Sequence, residues 1–290
     1  MHLIADCEAM IAARSICVGT QNQYRRAVRC YSEWLQHAAE RGDLLENRVN
    51  QWLCSMVSRA SPETIRGRKA GITAVWNWLS GQHLVPAYNP NLLRRIDLRW
   101  QPPRAWAVDD VRILLVAADK VQGHLASGVR AADLLTAWIW LGYESGLRPS
   151  DIQRLQVNQL GECIAICQHK TGQPHTFRLS PAAVHAISAV TQVGRSTVFG
   201  LPRSTMRRWE LKLFAEAEKI GFRRLPGQGL GTLRKTHGTE VCRHSGLSAA
   251  AISLGHVSGT LVAKRSYVQP DALAPPPAPP RLDHAKPNPD

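Results

Sequence analysis

The second half of this chain carries, in order, Arg148, Lys170, Arg234, His256 and Tyr267. Together these side chains are of the types that phosphodiester transfer without a metal requires. The non-bridging oxygens need cationic donors, and a planar guanidinium that binds two oxygens at once suits them best. A nucleophile must attack in line, and an acid must protonate the leaving sugar oxygen. Such catalysis is mainly positioning plus electrostatics. A metal site has less support. His169 and His175 flank one turn without an evident third ligand, and the seven cysteines show no CxxC pair or zinc-finger spacing. Cys163 and Cys167 are expected on one face of a strand, and the cysteines as buried free thiols.

The charge balance points to the same class of partner. Lys and Arg number 36 against 22 Asp and Glu, a formal net charge of +14. A polyanion is the expected partner, and nucleic acid is the commonest. The basic residues are spread over several segments, which favours a broad groove over a charged arm. Met1 to Met10 carries Asp6 and Glu8 and no basic leader region. The longest apolar run, near Leu134 to Tyr143, is about half of the roughly 20 residues a membrane span needs. A cytoplasmic protein with no membrane association is expected.

The elements that must position these residues read as mainly helical. Thr20 opens a helix to about Glu40, with Tyr24, Val28, Tyr31, Leu35 and Ala38 on its apolar face. A shorter helix covers about Leu45 to Ser58. Ser61 caps the next, with Pro62 in its first turn and Ile65, Ile72, Val75, Trp76 and Leu79 facing inward. Arg66, Arg68 and Lys69 cluster on its first half. Residues 85–107 hold Pro86, Pro90, Pro102 and Pro103 among arginines that include Arg94 and Arg95. Prolines stop helices and strands alike, so this reads as an extended basic linker able to follow a phosphate backbone.

From Val108 a second pattern begins. Asp109 and Asp110 open a short helix, and Ala131 to Ser145 reads as a buried one. Two short strands join at Thr171-Gly172. Helices follow from Pro181, from Arg203 to Ile220, through "TLRKTHGTEVCRHSG" to Gly246, from Ser248, and from Thr260 to Gln269. The tryptophans, including Trp76, Trp78, Trp138 and Trp140, are expected in the cores. The Pro-rich end, 271–290, is expected to be disordered or extended.

Three stretches in this second half resemble the tyrosine recombinase, or phage integrase, family. "GYESGLRPSDIQRLQ" resembles the first arginine box, "CQHKTGQPHTFRL" the hairpin that carries a lysine in a K-T-G context, and "GTLRKTHGTEVCRHSGLSAAAISLGHVSGTLVAKRSYVQP" the second arginine box with its L-G-H and terminal R-x-Y. The resemblance covers about Val108 to Pro270. It implies that Arg148 and Arg234 bind the scissile phosphate and that Asp151 braces the arginines. Lys170 would protonate the leaving oxygen, His256 would hydrogen-bond the phosphate, and Tyr267 would be the nucleophile.

The resemblance further implies a site-specific recombinase that cuts and rejoins double-stranded DNA through a 3′-phosphotyrosyl intermediate, with no metal and no other cofactor. It would work as a homotetramer on paired sites. The implied fold is a helical core-binding domain over 1–84, the linker over 85–107 and a mainly α catalytic domain with a small β-hairpin over 108–270. Together they would form a C-shaped clamp. The DNA-contacting residues proposed from the basic clusters are Arg66, Arg68, Lys69, Arg94 and Arg95.

Tyr267 also emerges by elimination. Tyr24 and Tyr31 lie on an apolar helix face, Tyr88 in the linker and Tyr143 in the buried helix. Nearby cations would favour the phenolate of Tyr267.

Two departures from the family pattern stand out. The family's histidine three residues before the second arginine is here Gly231, and the residue after that arginine is Lys235. His237, three residues beyond Arg234, is a possible substitute. Tyr267 follows His256 by eleven residues, two more than is usual in the family. Inside a helix two extra residues would turn the tyrosine by about 200°, so they are expected in the loop from Val257 to Thr260. A DNA-binding member that has lost catalysis, and a type IB topoisomerase, remain as alternatives.

Overall fold

The computed structural model describes residues 2–97, 101–192, 194–256 and 259–273. The chain divides into two compact units, Met1–Trp100 and Gln101–Asp290. It is mainly helical with one small antiparallel sheet. Most of the Pro-rich end, 274–290, lies outside the described residues.

The first unit packs α1 (Leu3–Ala12), α2 (Val18–Leu35), α3 (Glu46–Ser55) and α4 (Pro62–Gly81) around one apolar core. Ser61 caps α4 as its sequence indicates, its Oγ accepting from the Thr64 N–H at 3.3 Å. Ile65, Ile72, Val75, Trp76 and Leu79 are all buried beneath it. Helix α2 differs from the expected span. It starts before Thr20, with Cys17 at the N-cap, and stops at Leu35, because Gln36 turns into the left-handed region at φ 61°. Tyr31 is fully buried, and its hydroxyl donates to the Asp43 carbonyl at 2.7 Å, which satisfies the polar tip of a core aromatic.

The proline-rich stretch is not free along its length. Trp76 Nε1 donates to the Pro86 carbonyl at 2.8 Å, Leu93 is buried, and Ile96 packs on the same core. Trp106 instead belongs to the core of the second unit, where its N–H donates to Thr236 Oγ1 at 3.0 Å. Proline forbids regular structure here but does not prevent apolar side chains from docking on either side.

The second unit is built on α6 (Ala131–Ser145). It is surrounded by α5 (Val108–Lys120), α8 (Pro181–Val190), α9 (Arg203–Lys219) and α10 (Leu233–Ser253). Leu134, Leu135, Trp138, Ile139 and Leu141 of α6 are buried on several sides, as an almost wholly apolar helix must be. Strands β1 (Ile164–Cys167) and β2 (Pro174–Phe177) pair with Ile166 opposite His175. Short α7 (Pro149–Ile152) follows α6, and α11 (Thr260–Ser266) ends the fold. Helix α10 is broken at Gly246, at φ 82° and ψ 170°, where the sequence places a helix end.

The strand's alternation corrects the expectation for the cysteines. Ile164 and Ile166 point inward, so Cys163 and Cys167 face solvent, as do Cys17 and Cys54, and only Cys7 and Cys242 are buried. The tryptophans behave as expected: Trp76 and Trp138 are buried, and Trp78 and Trp140 pack on the cores. Among the described residues no helix is long and apolar enough to cross a membrane.

Candidate active site

Arg148 stands where α6 hands over to α7. Gly146 ends α6 in the left-handed conformation at φ 61°, and a Cβ there would lie 2.5 Å from the His237 ring. Only glycine meets both conditions, which accounts for its place before Leu147 and Arg148. Pro149 then starts α7, and Asp151 occupies its third position. The Asp151 carboxylate does more than favour a helix N-terminus. It is buried, accepts from the His169 N–H at 2.9 Å, and lies 3.9 Å from Arg148 Nη1. It therefore ties the first arginine to the hairpin turn that bears Lys170. Lys170 itself is exposed on that turn.

Arg234 is on the first turn of α10 and only 2% exposed. Its guanidinium donates to the Gly146 carbonyl at 2.5 Å and to the Leu254 carbonyl at 2.8 Å, and lies 3.3 Å from His256 Nε2. A guanidinium can only donate, so Nε2 of His256 accepts and the ring proton resides on Nδ1. That Nδ1 is buried and has no partner among the described residues. Burial, and then the charges of Arg234 and Arg148, push the His256 pKa down to about 4. The ring is neutral at physiological pH and can offer one N–H.

The turn between Leu254 and His256 depends on Gly255, at φ 64°, where a Cβ would stand 2.3 Å from Gln168 Nε2. After the turn the chain reaches Gly259 at φ 83° and enters α11 at Thr260. Residues 257 and 258 lie outside the described ones. Tyr267 ends that helix, its ring centroid 5.0 Å from that of His256 and 4.7 Å from the Arg234 guanidinium carbon. Burial alone would raise its pKa, but Arg234 and Arg148 outweigh this and hold the phenol below its usual value. Burial pushes the phenols of Tyr31 and Tyr143 the other way.

Arg148, Arg234, His256 and Tyr267 thus form one cluster, with Asp151 behind it and Lys170 on an adjoining turn. His237 does not stand in for the missing histidine. Its Nδ1 donates to the Tyr143 carbonyl at 2.8 Å and its ring supports the Gly146 turn. Gly231 lies near Pro149, where an added Cβ would make an ordinary 3.4 Å contact with Cγ. Sequence reasoning missed Gln168, a fully buried amide that touches Arg148 and the Leu254 carbonyl. A polar residue at an inward-facing strand end, two before the K-T-G lysine, is the one signal that could have marked it.

In the first unit Arg66, Arg94 and Arg95 are exposed, and Arg68 is half-buried. Lys69 is committed to the fold, donating to the Arg94 carbonyl at 2.8 Å. Among the described residues no group of three His, Cys, Asp or Glu side chains is placed to hold a metal ion.

Burial dominates the depression of both His237 and His256, each held at about 4 against an ordinary 6.5. The unfolded chain therefore binds more protons than the folded one below that ordinary value. Folding stability should fall as the pH drops from about 6.5 towards 4. Urea unfolding across that range checks this, and replacing His237 by glutamine should flatten the slope.

No family model matches the chain. The tyrosine recombinase XerD of Ralstonia nicotianae is 26% identical over 203 residues, covering 67% of this chain and 62% of that protein, less than two thirds of its length. A lambda integrase (75–356) dimer bound to a COC′ core site is 14% identical, with a TM-score of 0.72 over 91% of this chain and 93% of that one. The Tn1549 transposon integrase in complex with a circular intermediate DNA is also 14% identical, with a TM-score of 0.69 over 94% and 97%.

Proposed function

From a chain that resembles the tyrosine recombinases in sequence and has their fold, we propose a site-specific DNA recombinase that cuts and rejoins duplex DNA through tyrosine. The observation that carries this reading is the convergence of Tyr267 and His256 on the Arg148–Arg234 pair. Two guanidiniums side by side repel each other, and a phosphodiester is the natural guest between them. Arg148 and Arg234 hold the non-bridging oxygens, and the His256 Nδ1–H donates to one of them. The Tyr267 oxygen attacks phosphorus in line. A phosphotyrosyl ester forms at the 3′ side, and the bond to the 5′ oxygen breaks. Lys170 gives that oxygen its proton. Asp151 orients Arg148 and the hairpin turn. The ester conserves the bond, so the reverse attack by a 5′-hydroxyl rejoins DNA without ATP and without a metal.

In this reading the first unit is the core-binding domain and the second the catalytic domain, and the two clamp the duplex. Arg66, Arg68, Arg94 and Arg95 lie along the backbone, Lys69 holds the Arg94 segment, and the assembly is a homotetramer on paired sites in the cytoplasm. The test is covalent trapping in EDTA on suicide duplexes drawn from a pool with a randomised core. A denaturation-resistant adduct, mapped by mass spectrometry to the peptide containing Tyr267, supports the reading. Tight DNA binding with no adduct overturns it in favour of a binding protein that has lost catalysis.

Gly231 gives that second reading its footing, since one donor to the phosphate is missing there. A Cβ at Gly231 would meet Pro149 at an ordinary 3.4 Å, so the backbone tolerates a side chain there. Gly231→His is expected to raise single-turnover cleavage by about 100-fold, the lower end of the range for a transition-state hydrogen bond. Its melting temperature should be unchanged. A cleavage rate equal to wild type would mean that the missing donor is supplied elsewhere.

A further inference from the structure

The family's motifs leave out a fully buried polar side chain beside the site. Gln168 follows β1 and has no exposed surface. A fully buried amide persists only where its hydrogen bonds are made. Its Oε1 accepts from Arg148 Nη1 and from Thr171 Oγ1, the latter at 3.2 Å. Its Nε2 donates to the Leu254 carbonyl at 3.1 Å. That same carbonyl accepts from Arg234 Nη2 at 2.8 Å.

The amide can sit only one way round. Arg148 can only donate and the Leu254 carbonyl can only accept, so the two ends of the side chain are not interchangeable. The result is a neutral chain of hydrogen bonds running from Arg148 through Gln168 and the Leu254 carbonyl to Arg234. Both lone pairs of that carbonyl are used. The two guanidiniums repel, and after burial itself the charge of Arg148 lowers the pKa of Arg234. A carboxylate between them would relieve the repulsion but would also neutralise the charge that a phosphate needs. An amide fixes their spacing and leaves both charges in place. Gly255 follows from the same requirement, because any Cβ there would collide with the Gln168 amide.

We propose that Gln168 is a positioning residue that sets the spacing of the Arg148 and Arg234 guanidiniums for one phosphodiester. The inference rests on the strand-cleavage reading given above. It assigns Gln168 to the arginines and not to Lys170, although Thr171 of the lysine's turn shares its oxygen.

The experiment compares wild type, Gln168→Leu and Gln168→Glu on suicide duplexes selected by wild-type adduct formation. It measures DNA affinity by fluorescence anisotropy, single-turnover cleavage and thermal melting. It also uses duplexes in which sulfur replaces the 5′ bridging oxygen at the cleaved phosphate. A thiolate leaves without an acid's help, so this substitution rescues enzymes whose only defect is proton donation.

Gln168→Leu should lose about 100-fold or more in cleavage rate, the scale of a lost transition-state contact. Its affinity should stay within about threefold of wild type, because most phosphate contacts lie elsewhere. Gln168→Glu keeps the acceptor for Arg148 but loses the donor to Leu254 and adds a negative charge, so it should cleave no better. Neither should be rescued by the bridging sulfur. Wild-type cleavage in both variants would overturn the proposal while leaving the recombinase reading intact. Rescue by sulfur would overturn it by moving the role to Lys170. Parallel loss of affinity, melting temperature and cleavage would reduce Gln168 to a structural residue. A wild type that forms no adduct in any duplex would overturn the cleavage reading and this one with it.

Discussion

Tyr267→Phe should leave no covalent adduct with DNA while binding the same duplexes within about twofold of wild type, since it removes no phosphate-binding cation. The change deletes one oxygen from a half-buried ring and keeps the ring's packing on His256 and Arg234. Cleavage should fall by on the order of 10⁴-fold or more, the scale seen when a covalent nucleophile is removed. No other tyrosine can take over. Tyr31 and Tyr143 lie in the apolar cores, and burial raises their pKa. Tyr88 packs on Trp76 in the first unit, and Tyr24 on the same core. Gel analysis of labelled duplexes after denaturation reads the result. An adduct that survives in Tyr267→Phe would mean that a different residue attacks.

Arg234→Lys should be nearly as damaging, for two reasons that separate experimentally. The guanidinium is a structural tie as well as the proposed phosphate ligand, since it donates to the carbonyls of Gly146 and Leu254. Those carbonyls belong to the two turns that carry Arg148 and His256. Lysine has one nitrogen in place of a planar fork and cannot reach both while also facing a phosphate. Cleavage should drop by about 10³-fold, the upper range for a lost electrostatic contact to a transition state. Stability should fall by about 1–3 kcal/mol, the cost of leaving a buried acceptor unsatisfied. Single-turnover cleavage reads the first effect and urea unfolding the second. If cleavage collapses while stability holds, Arg234 acts on the phosphate alone. If the two effects scale together across Arg234→Lys, Arg234→Gln and Arg234→Ala, its main task is to hold the turns.

The effect of Gly231→His bears on both predictions. The site as built has two guanidiniums and a neutral histidine around the tyrosine, but lacks the donor that the family places three residues before Arg234. A Cβ at Gly231 would make an ordinary contact with Pro149, and the backbone there does not require glycine. The absence is therefore one of side chain and not of architecture, and a single substitution is enough to test it.

Much of the proposed site was legible in the sequence because it resides in residue types and local order. An arginine after a G-L turn, a lysine in K-T-G, a second arginine opening a helix and a tyrosine at the end of the last helix are each set by neighbours a few residues away. The buried character of α6 was legible for a similar reason: nearly every side chain in Ala131–Ser145 is apolar, and such a helix must be covered all round. The cap of α4 at Ser61 is likewise a matter of a side chain three residues from the N–H it accepts.

What the tertiary structure alone decided depends on pairs far apart in the chain. Leu35 ends α2 because Gln36 turns left-handed, although apolar spacing continues to Ala38. Periodicity records a face, and it does not say where the backbone stops following it. The outward parity of Cys163 and Cys167 was open because alternation fixes which residues share a face but not which face is covered. Docking of Leu93 and Trp106 on separate cores was hidden by prolines that correctly forbade helix and strand.

The bond from Gln168 to Arg148 spans 20 residues, that from Gln168 to Leu254 spans 86, and that from Arg234 to Gly146 spans 88. A glutamine's chemistry is ambivalent, as donor or acceptor, until two fixed partners choose for it. The sequence by itself determined which groups were available for the proposed reaction. Only the packing of α6, α10 and the hairpin could determine that Arg148 and Arg234 share one uncharged bridge, because hydrogen-bond direction and burial are properties of neighbours in space.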